Sequence, residues 1–184
     1  MITIAVFGSS TTPPDSTEWD QAVLVGDAIA RRGWAVATGG YGGTMEAVSE
    51  GAARAGGRVT GVTAPLIFPG RKGPNRHVHT EITEDTISHR IARLVEMSDA
   101  AVALPGSIGT FAELVVAWNA AFVAGARGAH PMPVVAVGRG WQVLLEAAET
   151  TLPTGAGFVR VVRDAADAIV ELDRMIERIA ASGR

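Results

Sequence analysis

Residues 34–48, Trp-Ala-Val-Ala-Thr-Gly-Gly-Tyr-Gly-Gly-Thr-Met-Glu-Ala-Val (WAVATGGYGGTMEAV), decide the fold. The run Trp34–Thr38 is apolar without polar alternation, which is typical of a strand in a parallel sheet covered on both faces. The glycines at 39–43 then turn the chain into a helical pattern that begins near Thr44. This stretch therefore predicts a strand, a glycine loop and a helix in succession.

The same alternation continues in both directions along the chain, and it predicts an α/β fold. With right-handed crossovers, we expect a single doubly wound Rossmann-like domain over residues 1–184, with a mostly parallel sheet of about six or seven strands and helices on both faces. Residues 64–80 form a long Pro/Gly-containing loop, and loops of that length are usually functional or mobile. The predicted strands are Ile2–Phe7, Trp34–Thr38, Arg58–Thr63, Ala100–Leu104, Pro133–Val137 and Phe158–Val162. The predicted helices are Thr17–Arg32, Thr44–Ala55, Asp85–Met97, Phe111–Ala124, Trp141–Thr150 and a last one from an Asp164 N-cap to about Ala180.

Composition excludes several classes of function. The 184 residues are 47% hydrophobic and carry a net charge of −3, which gives no reason to expect a basic face or a nucleic-acid partner. The chain has no cysteine, which excludes disulfides and thiolate metal sites and fits a cytoplasmic location. The N-terminus reads as a strand and not as a signal peptide. We expect no membrane span, because no apolar run reaches the roughly 18 residues that a membrane helix needs.

Three of the predicted strands end in loops of small residues: Gly8–Ser10, Gly39–Gly43 and Pro105–Thr110. In a Rossmann-like strand order these three strands are neighbours, so their loops meet over one crevice. Glycine allows close backbone approach, and amides at a helix start attract anions, so we expect a nucleotide phosphate there. The alternative is that the glycines only turn the chain. The candidate phosphate- and nucleotide-binding residues are Gly8, Ser9, Ser10, Gly39, Gly40, Gly43, Thr44, Met45, Pro105, Gly106, Ser107, Ile108, Gly109 and Thr110.

Some familiar nucleotide motifs are absent from the sequence. It has no G-x-x-x-x-G-K-[ST] stretch, which excludes a Walker-type NTPase. No G-x-G-x-x-G follows the first strand, and the second strand ends in Thr38-Gly39 without the acid that binds a dinucleotide's ribose. The sequence therefore disfavours a nicotinamide dehydrogenase.

Arg90 and Glu113 are the candidate catalytic pair. Arg90 falls within the apolar stripe of its predicted helix, where a guanidinium needs a carboxylate or a phosphate as partner. Glu113 follows Thr110 by three residues at the start of the next helix, and a carboxylate beside an anion site can bind ribose hydroxyls or orient water. Two alternatives remain: Arg90 can snorkel at the edge of the stripe, and Thr110-x-x-Glu113 is also a capping box.

The predicted helix Phe111–Ala124 is apolar nearly all round, which indicates burial on every side. A subunit interface would bury it, so we expect a homodimer through this region; the alternative is cover by the terminal helix. His77 and His79 have no evident third ligand nearby, and we expect neither a metal site nor a cofactor.

Two motifs resemble the signatures of the LOG (Lonely Guy) family, long labelled "possible lysine decarboxylase". They are Gly39-Gly40-x-Gly42-Gly43-x-Met45-x-Ala47-Val48-x-x-Gly51-Ala52 and Pro105-Gly106-Ser107-Ile108-Gly109-Thr110-x-x-Glu113. The resemblance implies a homodimeric Rossmann-like phosphoribohydrolase of cytokinin riboside 5′-monophosphates, with AMP cleaved by some members. It also implies that Arg90 and Glu113 are the catalytic pair and that Gly106–Thr110 hold the phosphate.

The chain departs from that family at two positions. Ser107 stands where the family has a second glycine, and Ile91 stands where a lysine commonly follows the arginine. The similar molybdenum-cofactor carrier proteins share the fold and glycine loops but bind without hydrolysis, which leaves a non-catalytic nucleotide or cofactor carrier as the alternative. A pyridoxal-dependent lysine decarboxylase is disfavoured, because the sole lysine, Lys72, lies in a Gly/Pro-rich loop.

Overall fold

The computed structural model describes residues 1–152 and 157–182, and within them it contains seven strands and six helices. The strands are β1 (Thr3–Phe7), β2 (Ala35–Thr38), β3 (Val59–Thr63), β4 (Thr80–Thr83), β5 (Ala100–Ala103), β6 (Val134–Val137) and β7 (Val159–Val162). The helices are α1 (Thr17–Arg31), α2 (Thr44–Arg54), α3 (Ile87–Glu96), α4 (Ile108–Ala126), α5 (Arg139–Thr151) and α6 (Ala165–Ser182).

Every pair of neighbouring strands is parallel, and the strand order is β4-β3-β2-β1-β5-β6-β7. One apolar cluster joins the sheet to α1, α2 and α6, and a second joins it to α3, α4 and α5. The sheet is therefore covered on both faces, which explains why β1, β2, β5 and β6 are apolar without alternation. The predicted doubly wound Rossmann-like α/β fold is confirmed.

The strand missing from the sequence prediction is β4, which begins at Thr80, the last residue of the predicted 64–80 loop, and ends at Thr83. Its sequence, Thr-Glu-Ile-Thr, has a single apolar residue, and three of the four residues are exposed. It forms the edge of the sheet beside β3, with Thr60 in register with Thr80. An edge strand buries less surface than a central one, so its sequence carries a weaker apolar signal.

The direction in which successive strands are added to the sheet reverses between β1 and β5. Strands β2 to β4 extend the sheet on one side of β1, and β5 to β7 extend it on the other. Phe7 and Ala103 are in register, and the amide of Leu104 donates to the Phe7 carbonyl at 2.9 Å. The carboxyl ends of these two strands therefore define the switch point at which ligands of such sheets bind.

Helix α4 is long and apolar enough to cross a membrane by length and composition, so the expectation that no stretch reaches that length is wrong for it. Its inner face, which includes Leu114, Ala117 and Ala121, is fully buried in the cluster against the sheet. Core helices meet the same criterion of length and composition. Helix α6 packs on the opposite face of the sheet, against α1, so the alternative that the terminal helix covers α4 is wrong.

Helices α1 and α2 touch backbone to backbone. A Cβ atom added at Gly26 in α1 would overlap the carbonyl oxygen of Val48, and one added at Gly51 in α2 would overlap that of Val23. The two glycines permit this close approach, and it fixes α2 over the sheet. The glycine loop that precedes α2 is positioned as a result.

We predict that Gly26→Ala lowers the free energy of unfolding by about 1–3 kcal/mol, because the added methyl group forces the two helices apart. The matched control is Gly140→Ala in α5, where an added Cβ meets nothing within 4 Å. That control should be neutral or stabilising by up to about 1 kcal/mol, since alanine is the better helix former. Urea denaturation measures both, and equal stability of the two variants would contradict the packing argument.

Candidate functional site

The loops after β1 and β2 interlock at the carboxyl edge of the sheet. The amide of Thr44 donates to the Ser9 carbonyl at 2.8 Å, and the hydroxyls of Thr12 and Thr44 are hydrogen-bonded at 2.8 Å. A Cβ at Gly8 would overlap the Thr44 side chain, so glycine is required for this contact. The structure thus brings Gly8–Ser10 and Gly43–Thr44 together.

The β2 loop needs glycine for its backbone path. Gly40 and Gly43 have φ values of 77° and 69°, in the region that favours glycine. Asn75 binds this loop from the long segment before β4: its side-chain amide donates to the carbonyls of Gly40 and Tyr41 at 3.1 and 3.0 Å. The 64–79 segment is therefore fastened to the glycine loop, a role for Asn75 that no motif in the sequence indicated.

The third loop leads into α4, which begins at Ile108 with Ser107 as its N-cap residue. Ser107 has a φ of −102°, so its backbone needs no glycine, and serine replaces the family's glycine without strain. Ile108 and Gly109 are exposed in the first turn of a 19-residue helix. Free amides at that position, together with the helix dipole, attract an anion.

The hydroxyl of Thr110 is buried at the base of this loop, and the described part of the chain offers it no hydrogen-bond partner. A Cβ at Gly106 would overlap this Oγ1, so glycine leaves the space that the hydroxyl faces. A buried hydroxyl without a partner is costly. A ligand oxygen in the loop would supply the missing partner.

The side chain of Arg90 extends from α3 beneath the glycine loops and is only 7% exposed. Its Nε donates to the Val62 carbonyl at 2.8 Å, and its Nη1 lies 3.2 Å from Oε1 of Glu113. Its Nη2 lies 3.8 Å from the Met45 sulfur, and a Cβ at Gly39 would overlap the same nitrogen. The guanidinium thus joins β3, the β2 loop and α4.

Two alternatives for this pair are wrong. Arg90 does not snorkel to solvent, since the residue is buried and paired. Thr110 and Glu113 do not form a capping box, because α4 starts at Ile108 and both residues lie inside it. The Glu113 carboxylate bonds to Arg90 and not to a helix-end amide.

Burial outweighs the ion pair in setting the protonation of Glu113. Desolvation raises the pKa of Glu113 to about 7, although the Arg90 charge and hydrogen bond lower it. Desolvation also lowers the pKa of Arg90, against the opposing charge of Glu113. The charge and hydrogen bond of Arg90 therefore favour the ionised form of Glu113 without outweighing its burial. The carboxyl group exchanges its proton near neutral pH, which suits acid–base chemistry.

Two of the cavities at this edge of the sheet border the third loop. One of 190 Å³ lies at the switch point and is lined by Thr44, Leu104 and Pro105 among others. The other, of 270 Å³, lies beside Pro105 and Gly106 and continues to Trp141, whose indole nitrogen donates to the Leu104 carbonyl at 3.2 Å. Both are lined by the third loop and not by the Arg90–Glu113 pair, which lies deeper.

Both histidines of the long segment before β4 accept hydrogen bonds from nearby residues. Nδ1 of His79 accepts from the Val59 amide at 3.2 Å, and Nε2 of His77 accepts from Nε of Arg76 at 3.1 Å. Across residues 1–152 and 157–182, no three metal-ligating side chains cluster together.

Comparison with known proteins identifies the family to which this chain belongs. The family model described as the SLOG cluster4 family matches residues 1–126, which include all three loops, Arg90 and Glu113. The chain belongs to the SLOG cluster4 family. Its relatives include the cytokinin riboside 5′-monophosphate phosphoribohydrolase of Mycobacterium tuberculosis, which is 34% identical over 73% of this chain and 70% of that protein. The resemblance to the LOG family is thus confirmed.

Solved structures of carrier proteins share the fold of this SLOG family member. The molybdenum cofactor carrier protein MCP of Chlamydomonas reinhardtii superposes with a TM-score of 0.73 at 27% identity, over 96% of this chain and 98% of that one. The molybdenum cofactor binding protein of Rippkaea orientalis superposes with a TM-score of 0.74 over 95% and 97%, and at 23% identity it shows the fold alone.

We predict that Glu113 makes the stability of the protein depend on pH. A carboxyl whose pKa rises from 4.5 to about 7 on folding binds its proton more tightly in the folded state. Its stabilising contribution is fully present below pH 4.5 and is lost as the pH rises through about 7. Urea denaturation between pH 5 and 8.5 should therefore show wild type losing stability relative to Glu113→Gln. Parallel pH profiles for the two proteins would contradict the prediction.

Proposed function

We propose that this protein hydrolyses the N-glycosidic bond of a nucleoside 5′-monophosphate, releasing the free base and ribose 5-phosphate. Cytokinin riboside 5′-monophosphates and AMP are the candidate substrates. The observation that carries the proposal is the buried Arg90–Glu113 pair directly beneath interlocked glycine loops. The phosphoribohydrolase relatives support the same reaction class.

Substrate binding begins at the third loop. The 5′-phosphate accepts hydrogen bonds from the amides at the start of α4 and from the Thr110 hydroxyl, which otherwise has no partner in the described part of the chain. This binding energy orients the ribose over the Arg90–Glu113 pair. The base then lies towards the β2 loop and the segment that Asn75 fastens to it.

Hydrolysis breaks the bond between C1′ and the base nitrogen and adds water to C1′. The Glu113 carboxylate contacts the ribose hydroxyls, and its negative charge stabilises the oxocarbenium-like transition state. It also orients the attacking water and accepts its proton. The departing base takes up a proton from solvent at nitrogen, and Glu113 afterwards returns its proton to solvent, so that water is divided between ribose 5-phosphate and the base. Arg90 holds the carboxylate in place through Nη1 and is itself fixed by the Val62 carbonyl.

The alternative function is binding without turnover, as a nucleotide or molybdenum-cofactor carrier. The carrier structures, which align over nearly the whole chain, favour it. Ser107 and Ile91 also favour it, because they depart from the hydrolase motif. The exposed hydroxyl of Ser107 adds a hydrogen-bond donor at the phosphate loop, and Ile91 removes a cation beside Arg90.

We predict that Glu113→Gln abolishes base release while keeping the fold. The loss should be at least about 10²-fold in kcat, because the variant lacks both the charge and the proton acceptor. Chromatography of free base after incubation with AMP and with cytokinin riboside monophosphates measures the rate. Glu96→Gln, an exposed glutamate at the end of α3, is the matched control and should keep full activity.

Tight nucleotide or cofactor binding without product, in wild type and Glu113→Gln alike, would overturn the hydrolase and establish the carrier. Product release that survives in Glu113→Gln would overturn the assignment of this carboxylate.

We further propose that the protein forms a homodimer through α4. The face of this helix that points away from the sheet is apolar, with Ile108 80% exposed and Val115, Val116 and Val123 at 38–42%. These residues fall on one side of the helix by their spacing. Exposed apolar stripes of this kind mark protein–protein contacts.

We predict that Val116→Arg converts the dimer to a monomer in light scattering coupled to size exclusion, because a charge in an apolar interface is costly. Val170→Arg, at a similarly exposed position on α6 across the sheet, should remain dimeric. A monomeric wild type would contradict the proposed dimer.

A further inference from the structure

A further cavity at the strand ends is lined by cations that the proposed reaction does not use. It has a volume of 250 Å³ and lies between the β2 loop and the long segment before β4. Both positive charges in its lining come from that segment, from Arg71 and Lys72, and the carboxylate in the lining is Glu46. Ser10 and Gly42 extend it to the proposed nucleotide loops.

The guanidinium of Arg71 is held in a defined position. It lies 4.5 Å from the ring centroid of Tyr41 and 4.4 Å from that of Phe68. The two rings themselves meet edge to face at 5.7 Å. Hydrogen bonds from the amide of Arg71 to the Phe68 carbonyl and from the amide of Gly73 to the Arg71 carbonyl fix the backbone on either side. A cation placed in this way loses little freedom when it binds a ligand.

Neither cation of this cavity has an acidic partner within the described residues, where the ion pairs involve other arginines. Arg71 therefore keeps its hydrogen-bond donors available, and Lys72 is exposed beside it. Planar guanidinium donors suit phosphate and carboxylate groups.

The cavity is coupled to the Arg90–Glu113 pair through Tyr41. The guanidinium of Arg90 lies 5.8 Å from the centroid of the same ring that Arg71 contacts. After burial, which is the larger cause, the charge of Arg71 also lowers the pKa of Arg90, so the two cations are close enough to interact. The hydroxyl of Tyr41 accepts from the Ala64 amide at 2.8 Å, which fixes the ring between them.

We propose that Arg71 and Lys72 form a second anion subsite, which binds a second negatively charged group of the nucleotide. This inference rests on the proposed nucleotide site, whose 5′-phosphate lies at the start of α4. The ligand then carries two separated anions: the 5′-phosphate, and a phosphate or carboxylate attached to the ribose or to the base. Substrates with that second group are preferred over simple nucleoside monophosphates.

The test compares three ligands by isothermal titration calorimetry at low ionic strength. AMP carries the 5′-phosphate alone. Adenosine 3′,5′-bisphosphate adds an anion on the ribose, and N6-(1,2-dicarboxyethyl)-AMP adds anions on the base. Glu113→Gln protein is used for the titrations, so that no ligand is consumed.

We expect one of the two bis-anionic ligands to bind at least about tenfold more tightly than AMP, as hydrogen bonds between charged groups allow. Which one does so shows whether the ribose or the base carries the anion. Changing Arg71 to Met together with Lys72 to Gln should reduce this advantage to within about twofold and leave AMP affinity unchanged. The control Arg76→Gln, an exposed arginine of the same segment outside the cavity lining, should keep the advantage.

Two results would overturn the subsite alone: AMP binding with no preference for either bis-anionic ligand, or a preference that survives in the double variant. An equal loss of AMP and bis-anion binding in the double variant, with a lowered melting temperature, would show that Arg71 only supports the two aromatic rings. Failure of all three ligands to bind would overturn the nucleotide site as well.

Discussion

The buried guanidinium of Arg90 needs a partner for each of its three nitrogens, and this requirement determines how the surrounding loops and helices are placed. Arg90 is satisfied by a strand carbonyl, a carboxylate and a methionine sulfur, which come from three separate parts of the chain. Position 39 requires glycine, because a Cβ atom there would overlap the guanidinium of Arg90. Removing one partner would leave an uncompensated charge in the interior, which costs several kcal/mol (about 3–5). The loops, the helix starts and the pair are therefore one structural unit.

In the same pair, burial and the charge of the partner together set the pKa of each group. Burial penalises the charged forms of both partners, and each partner's charge relieves the other. The carboxyl group ends up with a pKa of about 7, in the range where it gives and takes a proton at physiological pH.

Apolar runs and glycines were enough to predict the layout of the sheet. The predicted strands agree with the structure to within one residue at each end, because central parallel strands are continuously apolar. The edge strand β4 escaped prediction, since its Thr-Glu-Ile-Thr sequence has no apolar run. Arg90 was identifiable from its place on an apolar stripe. The contacts made by Asn75, Tyr41 and Arg71 could not be predicted from the sequence. They join parts of the chain that come close together only because of the path that the 64–79 segment takes in the folded protein.

Charged side chains on the two edge strands affect how copies of this chain can associate. Strand β4 carries Glu81 and strand β7 carries Arg160, and both side chains stand on exposed positions of the sheet borders. Charges on border strands oppose the addition of further strands from another molecule, which is the usual route to fibrous aggregates. The protein is thereby protected against open-ended growth at both borders, and closed association through its helical layers is left as the favoured geometry.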